Sequence, residues 1–187
     1  MKYIEELQAA LTAVSFSNND TYEQNIGALV ELFLSVRAEK GCAFFIGNGG
    51  SAGIAMHMTA DFFKNGQMRT HGMYDPATLT CLANDFGYEH CFSRQIEWLA
   101  NAGDVLVAIS SSGESANILN AAKTARDKNC RIVTLTGFKP TNTLRRMGDV
   151  NIHVPCAEYG IVESIHNLIL QQVVDEIFSG TPYPQSP

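Results

Sequence analysis

Apolar residues recur along this chain in two rhythms. From about residue 2 to 15, and again from about 22 to 40, they follow helical spacing, with Asn18-Asn-Asp-Thr21 as the break and Gly41 ending the second segment. Two helices therefore precede any strand. Beyond Gly41 the pattern alternates. Apolar runs at 43–47, 104–109, 131–136 and 150–154 read as strands, and a short apolar stretch near Ala77–Leu82 takes a strand's place in the series. The segments 51–65, about 89–101, 115–128, 141–147 and 161–178 read as the intervening helices. Strands and helices alternating through short links predict a parallel sheet wrapped by helices, with ligands in the crevice at the carboxyl ends of the strands.

Two of those strand ends carry chemistry. In Val105-Leu-Val-Ala-Ile-Ser-Ser-Ser-Gly-Glu-Ser-Ala-Asn117 an apolar strand runs into Ser110, Ser111, Ser112 and Ser115 and then a helix start. Hydroxyls, loop N–H groups and the positive end of the following helix hold a phosphate without lysine. A serine-rich N-cap turn would use the same residues. The balance is tilted by a second unit upstream, Cys42-Ala-Phe-Phe-Ile-Gly-Asn-Gly-Gly-Ser51, whose glycines around Asn48 let the backbone turn sharply and approach a ligand. This loop lacks both the G-x-G-x-x-G spacing and the Gly-Lys-Ser/Thr of a P-loop, so no nucleotide cofactor is indicated.

Bulk properties narrow the field. At 187 residues and 45% apolar content the chain suits one domain: N-terminal helices over about 2–40, an α/β core over about 42–178 and a Pro-rich tail over 180–187 expected to fray. A net charge of −6 with no clustered Lys and Arg argues against a nucleic-acid surface. No apolar run reaches the length of a membrane span, and no signal-peptide pattern opens the chain. Five scattered cysteines without a C-x-x-C pair suit a reducing cytoplasm. On the second helix, Ile26, Leu29, Val30 and Phe33 share one face with Leu32 and Leu34 flanking it, which reads as more apolar surface than one sheet edge covers and predicts a homo-oligomer.

Gly47-Asn-Gly-Gly-Ser51, Ala83-Asn-Asp-Phe-Gly87, Phe92-Ser-Arg94, Gly103-Asp-Val-Leu106, Ile109-Ser-Ser-Ser-Gly-Glu-Ser-Ala-Asn117 and Thr134-Leu-Thr-Gly137 together resemble the sugar isomerase (SIS) domain, and within it the phosphoheptose isomerases. The resemblance covers about residues 3–178. It implies an α/β three-layer sandwich around a five-stranded parallel sheet, flavodoxin-like, with an N-terminal helical extension. It also implies a cytoplasmic homotetramer with sites shared between subunits, converting sedoheptulose 7-phosphate into D-glycero-D-manno-heptose 7-phosphate for lipopolysaccharide or capsule heptose. The alternative is a catalytically silent SIS protein that binds a phosphosugar as a regulator or assembles with a protein partner.

Position by position, the resemblance assigns Ser51, Ser110, Ser111, Ser112 and Ser115 to the phosphate, Asn48 with Gly49 and Gly50 to the substrate loop, and Asp85 to the sugar. His57 falls on a zinc ligand and Asp61 on a catalytic glutamate. The pair is four residues apart on one helix face, a spacing that also suits a plain surface hydrogen bond. On the last helix, Glu163, His166 and Gln171 read as a polar stripe. The resembled family carries glutamine at 163 and a metal-binding, proton-transferring histidine at 171, so this chain departs at 61, 163 and 171. Moving a proton between C1 and C2 of a sugar needs a base and a polarised carbonyl. Asp61, Glu163 and His166 are the catalytic candidates, with His166 open to the alternative of a helix-packing histidine. His57, Asp61, Glu163 and Gln171 are the candidate ligands of a divalent metal, zinc or a harder ion such as manganese. Arg69 and His71, between Gly66 and Met73, are either substrate contacts or exposed loop polarity.

Overall fold

The structure, a computed structural model, describes residues 2–18 and 20–179; the 180–187 tail lies outside the described residues. The chain opens with α1 (Lys2–Thr12), β1 (Ser15–Phe16) and α2 (Tyr22–Ala38). It continues through β2 (Cys42–Ile46), α3 (Gly50–Lys64), β3 (Arg69–Gly72), α4 (Pro76–Phe86) and α5 (Ser93–Leu99). Then come β4 (Val105–Ser110), α6 (Ala116–Asp127), β5 (Arg131–Thr136), β6 (Val150–His153) and α7 (Tyr159–Ser179).

The layers follow the expected sandwich, but the sheet differs from the predicted five parallel strands. It has six, in the order β1-β6-β5-β4-β2-β3, and β1 pairs antiparallel with β6. The apolar stretch at Ala77–Leu82 is not a strand but part of α4. Asp75 caps that helix, its carboxylate accepting from the Thr78 N–H at 2.8 Å, and Pro76 sits at the first helical position, a start signal that outranks apolar content. The strand in its place, β3, is polar and mostly exposed because it is a sheet edge, which hides it from a hydrophobicity pattern. The segment 141–147 contains only a 3₁₀ turn at Leu144–Arg146, and 89–101 divides into a 3₁₀ turn at Tyr88–His90 followed by α5.

Alternation along the strands separates the two cores. Ala43, Phe45, Val105, Val107, Val133 and Leu135 point to the side covered by α1, α2, α3 and α7. Phe44, Ile46, Leu106, Ala108 and Ile132 point to α4, α5 and α6. The apolar face of α2 is spent inside the protomer: Ile26, Leu29 and Phe33 are fully buried, with Val30, Leu32 and Leu34 packed at the margin, so this face is not the oligomer surface. A capping box at Thr21 and Gln24 starts that helix.

The strand order reverses between β2 and β4. From β2 the chain steps outward to β3, then returns to the other side of β2 as β4 and proceeds through β5 to β6. The pair is held in register at its amino end by Asp104, whose buried carboxylate accepts from the Cys42 N–H at 2.7 Å and the Asn101 N–H at 2.8 Å. Removing that carboxylate strands two backbone donors. Asp104→Ala is therefore expected to lower unfolding stability by about 2–4 kcal/mol, read as a shift of the urea midpoint at unchanged m-value; a midpoint at the wild-type value would refute the clamp.

Candidate active site

The reversal brings the loops after β2 and β4 side by side, and a cleft of about 320 Å³ opens between them. Asn48, Gly49, Gly50, Ser51, Ser110, Ser111, Ser112, Ser115 and Glu163 line it, together with Ile109 and Tyr159. Every loop residue assigned to substrate from the sequence is thus in one cavity, and no lysine or arginine is among its lining residues.

The loop after β2 is shaped by its own glycines and held by Tyr74, Tyr88 and Asn117, which sequence reasoning missed. Gly49 has φ +57, a left-handed conformation with open space around it, so glycine is required there for the turn itself. Gly50 leaves room for the Glu163 carboxylate, which a Cβ at that position would displace. Tyr74 clamps the base of the loop, its hydroxyl accepting from the Gly47 N–H at 2.6 Å and donating to the Gly47 carbonyl at 2.9 Å. Burial raises its pKa far above the usual phenol value and keeps it a donor. The amides of Asn48 and Asn117 exchange hydrogen bonds at 2.9 Å in both directions, and the Tyr88 hydroxyl donates to Asn48 Oδ1 at 3.0 Å. Asn117 lies inside the serine motif, so its role was open to recognition; Tyr74 and Tyr88 carry no local signal.

Across the cleft, the Ser110 and Ser115 hydroxyls lie 3.4 Å apart, and Ser110 accepts from the Gly113 N–H at 3.2 Å. Ser111 Oγ is buried with no protein partner among the described residues. Ser115 is the N-cap of α6 but makes no side-chain bond to its own helix. A ligand anion can therefore meet hydroxyls and the positive end of α6 together. Glu163 occupies the corresponding position on the other helix, its carboxylate over the first turn of α3, where the helix field favours negative charge.

The remaining candidates lie elsewhere. His57 Nε2 is 3.2 Å from Asp61 Oδ2, and Gln171 Nε2 donates to the same oxygen at 3.1 Å. This cluster sits eight residues along α7 from Glu163, about 12 Å of helix. His57 and Gln171 both adjoin Asp61, whereas the Glu163 carboxylate lies over the first turn of α3, and among the described residues no three His, Cys, Asp or Glu side chains are grouped to hold a metal. Asp85 is exposed on α4, bonded to Asn84 and Cys81, outside the cleft. Arg69 is tied to the Lys40 carbonyl at 2.7 Å on the edge strand, and His71 lines a separate hollow beside Trp98. His166 does not reach the cleft. It is fully buried against β5, with Nε2 3.0 Å from the Thr136 carbonyl and Nδ1 without a partner among the described residues, the helix-packing alternative.

The SIS domain model matches residues 2–137. The phosphoheptose isomerase of Sodalis glossinidius is 38% identical over 177 residues, covering 88% of this chain and 91% of that one. That of Cytophaga hutchinsonii is 36% identical over 180 residues, covering 89% and 92%. Among solved structures, the phosphoheptose isomerase of Neisseria gonorrhoeae superposes with a TM-score of 0.82 at 30% identity, covering 95% of this chain and 94% of that chain. One from Francisella tularensis gives 0.83 at 28% identity, covering 95% of each.

Burial pushes His166 down to about 4, and His153, buried beside Thr136 and Arg145, down to about 4 as well. Both are neutral in the folded chain at neutral pH and must charge on acid unfolding, so the unfolded state binds more protons between about pH 6.5 and 4. Stability is expected to fall through that window by up to about 1.4 kcal/mol per pH unit for each histidine, and His166→Leu should flatten the slope. Urea unfolding at pH 7, 6, 5 and 4 tests this; an unchanged slope in the variant would refute a neutral buried His166.

Proposed function

The chain belongs to the SIS-domain family and, within it, to the phosphoheptose isomerases, and on that premise we propose that it interconverts sedoheptulose 7-phosphate and D-glycero-D-manno-heptose 7-phosphate as an intramolecular aldose–ketose isomerase serving heptose biosynthesis. The observation that carries this is the composition of one cavity: five serines for a phosphate and one carboxylate, Glu163, facing them.

The phosphate binds Ser110, Ser111, Ser112 and Ser115 at the end of α6, with Ser51 from the other loop. The carbon chain then runs toward Glu163. Glu163 takes a proton from C1 of the ketose, and the electron pair forms the C1–C2 double bond of an enediol as the C2 oxygen gains a proton. Returning the proton to C2 while the C1 hydroxyl loses its own yields the aldose. Loop N–H groups and hydroxyls stabilise the oxygen charge that develops in between.

His57, Asp61 and Gln171 are not among the residues that line this cavity. We assign them to a site completed by a second copy, in keeping with a homotetramer whose sites are shared. The exposed Met56 and Phe63 on α3 and Leu168 on α7 flank this cluster and supply apolar contact area for such an assembly. His57, Asp61 and Gln171, with Glu163, are the residues that would hold a divalent ion, which would polarise the sugar carbonyl. Five free cysteines accord with a cytoplasmic setting.

Glu163→Gln is expected to lower kcat by about 10²–10⁴ while sugar-phosphate binding survives, and Ser112→Ala to raise KM with a smaller effect on kcat. Incubation in D2O followed by NMR reads both interconversion and deuterium arriving at C2. Wild-type turnover in Glu163→Gln would remove it from the role of base. A raised melting temperature with the sugar unchanged would identify a silent binder instead.

A further inference from the structure

Tyr159 is the one aromatic residue lining the cleft among the described residues, and neither phosphate binding nor proton transfer uses it. It is the first residue of α7, four before Glu163, so both side chains lie on the same face of the helix and both reach the cleft. Tyr159 is 61% exposed, yet it is not loose. Phe138 packs against it edge-to-face, with centroids 4.8 Å apart and planes at 80°. Phe138 itself has φ +56, an uncommon conformation for a bulky residue, and its N–H donates to the Cys156 carbonyl at 2.9 Å. The loops after β5 and β6 thus cooperate to present an aromatic ring to a cavity whose other lining residues are serines, Asn48, two glycines, Ile109 and Glu163.

We propose that Tyr159 is the platform on which the carbon chain of the sugar phosphate packs, so that it selects sugar phosphates over phosphate alone. A sugar has an apolar side, its C–H groups, as well as its hydroxyls. Serines cannot recognise that side, whereas an exposed ring face covers it and excludes water from it. The residue acts on substrate position rather than on proton transfer. This rests on the phosphosugar reading of the cleft.

The test titrates the full chain calorimetrically with sedoheptulose 7-phosphate and separately with inorganic phosphate, in wild-type, Tyr159→Ala and Tyr159→Phe forms. The alanine variant is expected to lose about five- to tenfold in sugar-phosphate affinity with phosphate affinity unchanged, and phenylalanine to recover affinity to within about twofold of wild type. Turnover should show the loss in KM rather than kcat. Equal sugar-phosphate affinity in Tyr159→Ala and wild type would overturn the platform. So would a parallel loss of phosphate affinity, because the ring would then merely prop the serine loop. A wild-type chain that binds the sugar phosphate no more tightly than phosphate would overturn both the platform and the phosphosugar reading, whereas the first two outcomes leave that reading standing.

Discussion

The reversal of strand order between β2 and β4 is the constraint on which the rest of this molecule depends. Every other parallel pair in the sheet, β2–β3, β4–β5 and β5–β6, joins strands that are consecutive in the chain. At β2 and β4 the windings diverge, so the loops at 47–50 and 110–115 face each other with nothing between them. Each structural device nearby serves that arrangement. Asp104 ties the amino ends of the two strands, Tyr74 fixes the backbone at Gly47, and the Asn48–Asn117 pair joins one loop to the helix following the other. The cleft is therefore a product of topology first and side chains second.

Within it, electrostatics replaces the basic residues usually expected around a phosphate. Two helices, α3 and α6, direct their positive ends into the same cavity. One end is taken by the chain's own Glu163 carboxylate and the other is left to hydroxyls. The hydroxyl-lined end of α6 is the part of the cavity whose helix field is not already met by a carboxylate of the chain. An acidic protein of pI near 5.3 can bind a phosphate in this way because the attraction is local and oriented rather than a matter of net charge.

How much of this was legible in the chain depended on whether function and local pattern coincided. At 42–51 and 105–117 they did: buried strands, glycines and serines occur in unbroken order, and the cleft contains every residue those segments suggested. The strand at 69–72 and the helix at 76–86 were misjudged because an edge strand need not be apolar and a helix cap outweighs a short apolar run. The inward turn of Ile26, Leu29 and Phe33 was also not readable, since hydrophobicity marks a face as buried without saying what buries it. Tyr74, Tyr88 and Tyr159 act on the site from 27, 40 and 111 positions beyond Gly47 and Asn48, distances at which no local spacing rule applies.

The last helix shows the same limit in one element. Glu163, His166 and Gln171 read as a single polar stripe, yet at about 100° per residue His166 lies roughly 60° to one side of Glu163 and Gln171 roughly 80° to the other. That fan of about 140° is wide enough for three environments. Glu163 faces the cleft, His166 faces β5 and Gln171 faces Asp61. The consequence bears on the departures from the resembled family at 61 and 171. These two positions touch each other at 3.1 Å and neither lines the cleft, so a shorter carboxylate and an amide in place of an imidazole meet in one hydrogen bond, where the effect of one substitution depends on the other.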